Sequence, residues 1–520
     1  MTPHDDRPIA ARAASGAVWL VASRLGTRAI DFASLLLLAR ILTPADFGMV
    51  AIAMTLVQIV EAVFELPVGQ ILVRADTIER GLLETAFTLS LLRGGALAGV
   101  LAGLALPFSY IYGEHRLFPL ICFLSAAPAL RGLISPAMAH FARAIDFRRD
   151  LIIEMSGKVC AFALALALAL LTHSYWAIAL GTVAAPAAMV AVSYRLAPFR
   201  PRLSLAGWRT FAGFLGWTTA AQAISALNWQ ADRLILGRFV SRAELGGFSL
   251  ASDVSTLPEQ AMVKPIMRPL LSAFSLIRDQ PVRLAEAYLR TAATVLAVGA
   301  PVMLGLSLLA EPAVRLLLGG KWTGAWPYLQ WLALTLIPPL FTAPLAPLAM
   351  ALGRTRLFLQ QNAVEFAIKI PAIIVCAWQY GIYGVIGARG ASAVAMALVT
   401  GSFVRRLTGI PVWRQLAAST RTIVAGAALA AVLIALRPLL DGLAGVRLAL
   451  ALGAVAGGGI GVYAAIMLLL WNFLGKPAGL ELAVYTRVKA MVSGQGIQNL
   501  QCRGADREAE SDIQHYHHKP

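Results

Sequence analysis

Apolar runs of about 20 residues recur along the chain from Ser15 to Trp471. A run of that length is what an α-helix needs to cross the ~30 Å hydrocarbon core of a bilayer. LIIEMSGKVCAFALALALALL and ALGAVAGGGIGVYAAIMLLLW are two of them. Lipid offers the backbone no hydrogen-bond partner, so only helices and closed barrels can span it. The ten-residue alternation of barrel strands is absent. The chain therefore reads as an all-α polytopic membrane protein, and composition agrees. Of its 520 residues 58% are hydrophobic and only 14% charged, against the ~25% charged expected of a soluble domain.

About fourteen spans can be drawn. Lysine and arginine cluster in alternate gaps, such as Arg143, Arg148 and Arg149, then Arg195, Arg200, Arg202 and Arg209, then Arg405, Arg406, Arg414 and Arg421. The intervening gaps hold few, Arg116, Arg242 and Lys321 among them. By the positive-inside rule both termini lie in the cytoplasm. The net charge of +17 does not point to nucleic acid, because the basic residues punctuate apolar runs instead of forming one basic face. The four cysteines, Cys122, Cys160, Cys376 and Cys502, show no paired spacing, so neither disulfides nor a zinc site is expected. The first apolar run carries internal charges and continues past Leu35, which reads as a retained span and not a cleaved signal.

The segment LARILTPADFGMVAIA at 38–53 returns as LGRFVSRAELGGFSLA at 236–251. Arg40, Asp46, Gly48 and Ala53 match Arg238, Glu244, Gly246 and Ala251 at an offset of 198. Pro128, Pro136, Arg143 and Phe147 match Pro339, Pro347, Arg354 and Phe358 at 211. Six spans separate the copies, so the halves run the same way, a parallel repeat about an axis along the membrane normal. The expected organisation is a cytoplasmic segment 1–14, a six-helix bundle 15–196, a basic linker 197–210 and a second bundle 211–404. Two further helices at 420–473 and a cytoplasmic tail 474–520 complete it. Two bundles facing each other enclose a central cavity.

Charges inside spans are the candidate functional groups, since one at mid-bilayer costs on the order of 2.5–3.5 kcal/mol. Arg24, Arg28 and Asp31 share a helical face in the first span, and Gln58, Glu61 and Glu65 form a similar stripe in the second. Arg93 and Arg131 lie in the third and fourth. Asn228, Asp232 and Arg233 end the seventh, Asp253 and Glu259 lie in the eighth, and Asn362, Glu365 and Lys369 share a face of the eleventh. One reading is a hydrated cavity in which Arg24, Arg28, Asp31, Arg93 and Arg131 meet an anionic headgroup; the arginine fork suits pyrophosphate. The other is internal pairing, Asp31 with Arg28 and Glu365 with Lys369, while Glu61, Glu65, Asp232 and Asp253 pair likewise or couple a cation. Gly457 and Gly461 have helix-packing spacing. Without a preceding strand or any GxxxxGK[ST] run the chain has no nucleotide loop. Prolines 338, 339, 344 and 347 should break span ten. The histidines 515, 517 and 518 sit in a polar tail. No pattern marks an enzyme's site or a cofactor.

LLLLARILTPADFGMVAIAMTLVQIVEAVFELPVGQILVR resembles the first two spans of the bacterial polysaccharide-transport (Wzx-type) oligosaccharide flippases, a branch of the MOP exporter superfamily. LNWQADRLILGRFVSRAELGGFSLA is similar to their seventh-to-eighth-span signature, and RAIDFRRDLIIEM to the segment after span four. The resemblance covers roughly 15–410. It implies a twelve-plus-two-helix flippase working by alternating access. Its substrate would be an oligosaccharide on polyprenyl pyrophosphate, moved from the cytoplasmic to the periplasmic leaflet of the inner membrane, with membrane lipid around the prenyl tail and a glycan polymerase downstream. By resemblance Arg24 and Arg28 are the best placed to meet the pyrophosphate. The alternatives are a MATE-like cation-coupled multidrug or metabolite exporter, which would want uncompensated carboxylates, and a membrane glycan polymerase or ligase, which would need a large periplasmic loop.

Overall fold

The computed structural model describes residues 9–66, 68–75, 77–144, 146–212, 217–354 and 356–473. The N-terminal segment 1–8, the tail from 474 with Cys502 and its three histidines, and the Arg24 side chain lie outside the described residues.

The first lobe holds α1 (Ile9–Ile41), α2 (Pro44–Val63) and α3 (Arg80–Ile111). A bent pair follows, Leu117–Arg131 with Pro136–Arg143 at 49°, here α4, and then α5 (Phe147–Thr172) and α6 (Trp176–Leu196). The second lobe begins with α7 (Trp217–Phe239) and α8 (Arg242–Pro258), which runs through a π-helical turn, Glu259–Val263, into Lys264–Leu276. Then come α9 (Pro281–Leu308) and α10 (Gly320–Ala351), the latter interrupted where its prolines fall. Arg356–Thr408 is two helices joined at Gly381, whose φ of 57° and ψ of −134° turn the chain. We label its arms α11 (356–380) and α12 (382–408). Thr420–Leu436 and Gly445–Phe473 are α13 and α14.

Among the described residues nine helices are long and apolar enough to cross a membrane, or ten with the bent pair. α1, α7 and α8 are not among them. α1 and α7 carry charged stripes, which lowers their apolarity, and α8, at 17 residues before its π-helical turn, is short. The prolines that match at offset 211 break α4 and α10 alike, as a missing N–H and a ring clash dictate.

The repeated 198-offset segment lies where the lobes meet. Thr43 caps α2 in a capping box with Asp46, and Ser241 caps α8 in the same way with Glu244, so the repeated acid closes the same N-terminal turn twice. One turn on, the two helices cross. A Cβ on Gly48 would stand 1.9 Å from the Arg242 carbonyl oxygen, and one on Gly246 1.8 Å from that of Pro44. Only glycine permits this approach. Around the crossing Arg40 donates to the Leu316 and Leu317 carbonyls at 2.7 and 3.1 Å. The buried Trp322 donates from Nε1 to the Ala39 carbonyl at 2.6 Å and meets the Phe47 ring edge-on. Arg242 donates to the Tyr112 carbonyl at 2.8 Å, and the Tyr112 hydroxyl to that of Leu234 at 2.5 Å. Burial pushes the Tyr112 phenol up to about 12, with nearby Arg242 pulling the other way, so it stays protonated and donating. One end of the two-lobe assembly is thereby closed.

α2 packs along α7, but among the described residues the pair related to it by the repeat, α1 with α8, does not pack extensively; α1 lies instead on α5. The linker docks on the first lobe, with Ser204 N–H donating to Thr88 Oγ1 at 2.9 Å and Phe211 buried beside Leu72 and Leu83. α13 and α14 attach to the second lobe. Tyr463 donates to the Ala297 carbonyl at 2.8 Å, and Arg437 pairs with Glu311 at 2.5 Å.

Gly48→Ala or Gly246→Ala is expected to overpack the crossing and cost about 1–3 kcal/mol, read as a lower unfolding temperature in detergent. Gly457→Ala, where a Cβ meets nothing within 4 Å, should leave it unchanged.

Candidate substrate cavity

In the first lobe the intramembrane charges are paired but wet. Asp31 of α1 meets Lys158 of α5 at 2.5 Å, and both side chains are more than a third exposed. The pairing of Asp31 with Arg28 considered from sequence is thus replaced by one across helices, and Arg28 stands exposed on α1. Arg131 of α4 meets Glu61 of α2 at 2.5 Å, with the arginine 46% exposed. Arg93 of α3 donates from Nε to the Phe64 carbonyl at 2.6 Å, satisfying the C-terminal end of α2 and its dipole. Glu65 accepts from Gln222 of α7 at 3.2 Å, a link between lobes. Lipid-facing exposure of such pairs would be costly, so these surfaces border water. Arg131 also edges a cavity of about 740 Å³ lined by Ser90, Ser135, Met138 and Asp150.

The second lobe buries its central carboxylate. Asp232 of α7, 3% exposed, takes Lys369 of α11 at 3.0 Å and Arg389 of α12 at 3.2 Å. Lys369 also donates to the Asn228 carbonyl at 2.6 Å. Its contact with Asp232 Oδ1 is close in charge but not aligned as a hydrogen bond, since that oxygen has no hydrogen-bond partner. Lys369 therefore turns to Asp232, not simply to Glu365 one turn away, and Glu365 faces the same cavity. Asp253 pairs with Arg233 across α7 and α8. These groups surround a space of about 260 Å³.

Lys158 and Arg389 were not singled out from sequence. Arg389 had a signal, being a lone charge inside the apolar stretch 382–404 that the mid-bilayer cost should have flagged. Lys158 stands in an apolar run in the same way.

Over residues 37–327 the chain matches the family described as polysaccharide biosynthesis protein. The chain belongs to that family. Among its relatives is the succinoglycan biosynthesis transport protein ExoT of Rhizobium meliloti (strain 1021), 26% identical over 61% of this chain and 65% of that protein, a little under two thirds of its length. The lipopolysaccharide biosynthesis protein WzxC of Escherichia coli (strain K12) is 24% identical over 71% of this chain and 76% of its own. The fold is that of the lipid II flippase MurJ in an inward closed conformation, at a TM-score of 0.68 and 14% identity over 88% of this chain and 99% of that one. An inward-facing MATE family transporter of the MOP superfamily follows at 0.59 and 14%, over 74% and 95%. This member of the family is a multi-pass membrane protein whose two lobes carry polar, charged interiors.

Lys369→Met should destabilise the second lobe by about 3–5 kcal/mol, because it strips a counter-ion from a buried carboxylate. Adding Asp232→Asn should recover part of that loss, and unfolding curves of the two single variants and the double variant measure it. Arg131→Ala, which breaks an exposed pair, should cost ~1 kcal/mol or less.

Proposed function

We propose that this protein is a flippase for oligosaccharide linked to polyprenyl pyrophosphate. It moves its substrate from the cytoplasmic to the periplasmic leaflet of a bacterial inner membrane by alternating access, as a transporter and not an enzyme. The observation that carries this reading is the set of half-exposed ion pairs at membrane depth in the first lobe, on a chain of the polysaccharide biosynthesis family. A wall of that kind suits a charged, hydrated headgroup whose prenyl tail stays in lipid. The names of ExoT and WzxC, with succinoglycan and lipopolysaccharide in them, support a glycan cargo.

With both termini cytoplasmic, the end closed by the Gly48–Gly246 crossing is periplasmic, and the cavity opens inward. The two bundles, 15–196 and 211–404, would rock about that crossing. The loose packing between α1 and α8 offers the tail a lateral way in. Arg28 meets the pyrophosphate, since Asp31 is already neutralised by Lys158, and Arg24, four residues earlier in the sequence, is the second candidate. Arg93 and Arg131 exchange their present partners, the Phe64 carbonyl and Glu61, for phosphate oxygens. Asp232, Asp253, Glu365 and Lys369 hold the second lobe together. A glycan polymerase would take the product.

The test is transfer of a labelled polyprenyl-pyrophosphate oligosaccharide between leaflets of proteoliposomes. Arg24→Ala and Arg28→Ala should each slow it by about tenfold or more, the loss of one charge-assisted contact of ~1.5–3 kcal/mol, while unfolding temperature holds. No transfer by the wild type with several glycans, together with export of a cationic dye, would hand the protein to the multidrug class.

A further inference from the structure

The cavity of the second lobe has features that ion pairing does not explain. Besides Asp232 Oδ1, which faces Lys369, two polar atoms on its wall are buried and lack any hydrogen-bond partner: Asn228 Oδ1 and Ser392 Oγ, on residues each 4% exposed. Buried polar groups are almost always satisfied, so an orphan on a cavity wall calls for something in the cavity. One is a pure acceptor and the other both donates and accepts. Trp229, 53% exposed, lines the same space.

The ligand's chemistry follows from the wall. Asp232 is neutralised by Lys369 and Arg389, and Asp253 by Arg233. A free cation would meet three fixed positive charges, and a free anion would meet the carboxylates of Asp232, Asp253, Glu259 and Glu365. A neutral group rich in hydroxyls suits both, because each hydroxyl donates to a carboxylate or an amide oxygen and accepts from a guanidinium or serine. The C–H face of such a ring packs on an indole, whose body is apolar. The volume, about 260 Å³, is below the ~300–1,000 Å³ of drug-sized sites, which suits one ring and not a chain of them.

We propose that this cavity binds a single sugar residue, with Asn228, Ser392 and Trp229 as its specificity contacts. As the place where the flippase recognises its glycan, it rests on the function proposed above. As a sugar site it stands alone.

Binding is therefore tested apart from transport. Purified protein in detergent is heated with about 100 mM glucose, galactose or N-acetylglucosamine, or with sodium chloride at the same concentration. A ligand that binds only the folded state raises the unfolding temperature. At least one sugar should raise it in the wild type, and the shift should vanish in Ser392→Ala and Trp229→Ala. The exposed Trp229 and the one-atom change at Ser392 leave the fold intact for this comparison. A rise with salt and none with sugar would make it a cation site, and no rise with any additive would make it a water pocket. Either overturns the proposal. So does a sugar-induced rise that both variants retain. A sugar shift that depends on these residues, in a protein that moves no lipid-linked glycan, would keep the subsite and reject the flippase.

Discussion

The two lobes touch most closely where two helices come together with no side chain between them. At Gly48 and Gly246 backbone meets backbone, and the neighbouring contacts depend on that approach. It brings Arg40 within reach of the carbonyls at 316 and 317, Trp322 within reach of Ala39, and Arg242 within reach of Tyr112. In a bilayer, lipid is as apolar as leucine, so helices gain little from hydrophobic burial and much from close packing and carbonyl contacts. A small-residue crossing framed by polar side chains answers that constraint. From this crossing the contact between the lobes continues along α2, which packs on both α7 and α8 and reaches Gln222 through Glu65.

The lobes treat charge differently. In the first, Asp31–Lys158 and Glu61–Arg131 are ion pairs with water beside them. Pairs in such surroundings are worth little and exchange partners readily. In the second, one carboxylate, Asp232, holds two cations away from water. The desolvation is recovered only if the geometry stays put. The first lobe is built to let its partners go, and the second to keep them.

Much of this was legible in the sequence. Apolar length gave the membrane, and the offset of 198 gave the duplication before any contact was known. The capping acids Asp46 and Glu244 were visible as matched positions, although what they closed was not. The pairing of charges was another matter. Helical spacing puts Arg28 near Asp31 and Glu365 near Lys369, and local reasoning therefore considers those pairs. The structure chooses Lys158, 127 residues away from Asp31, and Asp232, on another helix altogether. Which counter-ion a buried charge finds depends on which helices pack, and periodicity along one helix carries no record of that. Arg389 is a lone charge on its helix, and only its partner on another helix, Asp232, makes it significant.

The turn at Gly381 joins α11 and α12 through a single residue of left-handed φ, with Gly384 so close to the Cys376 carbonyl that a Cβ would stand 2.1 Å from it. Most connections between membrane helices are slack and absorb length changes between related proteins. This one has no slack. Lys369 and Arg389 stand on either side of it and reach the same carboxylate, so adding even one residue would rotate one arm against the other and part them from Asp232. Insertions and epitope tags that other loops tolerate would be poorly placed here, and lineages that vary freely in their loops have reason to keep the length of this hairpin.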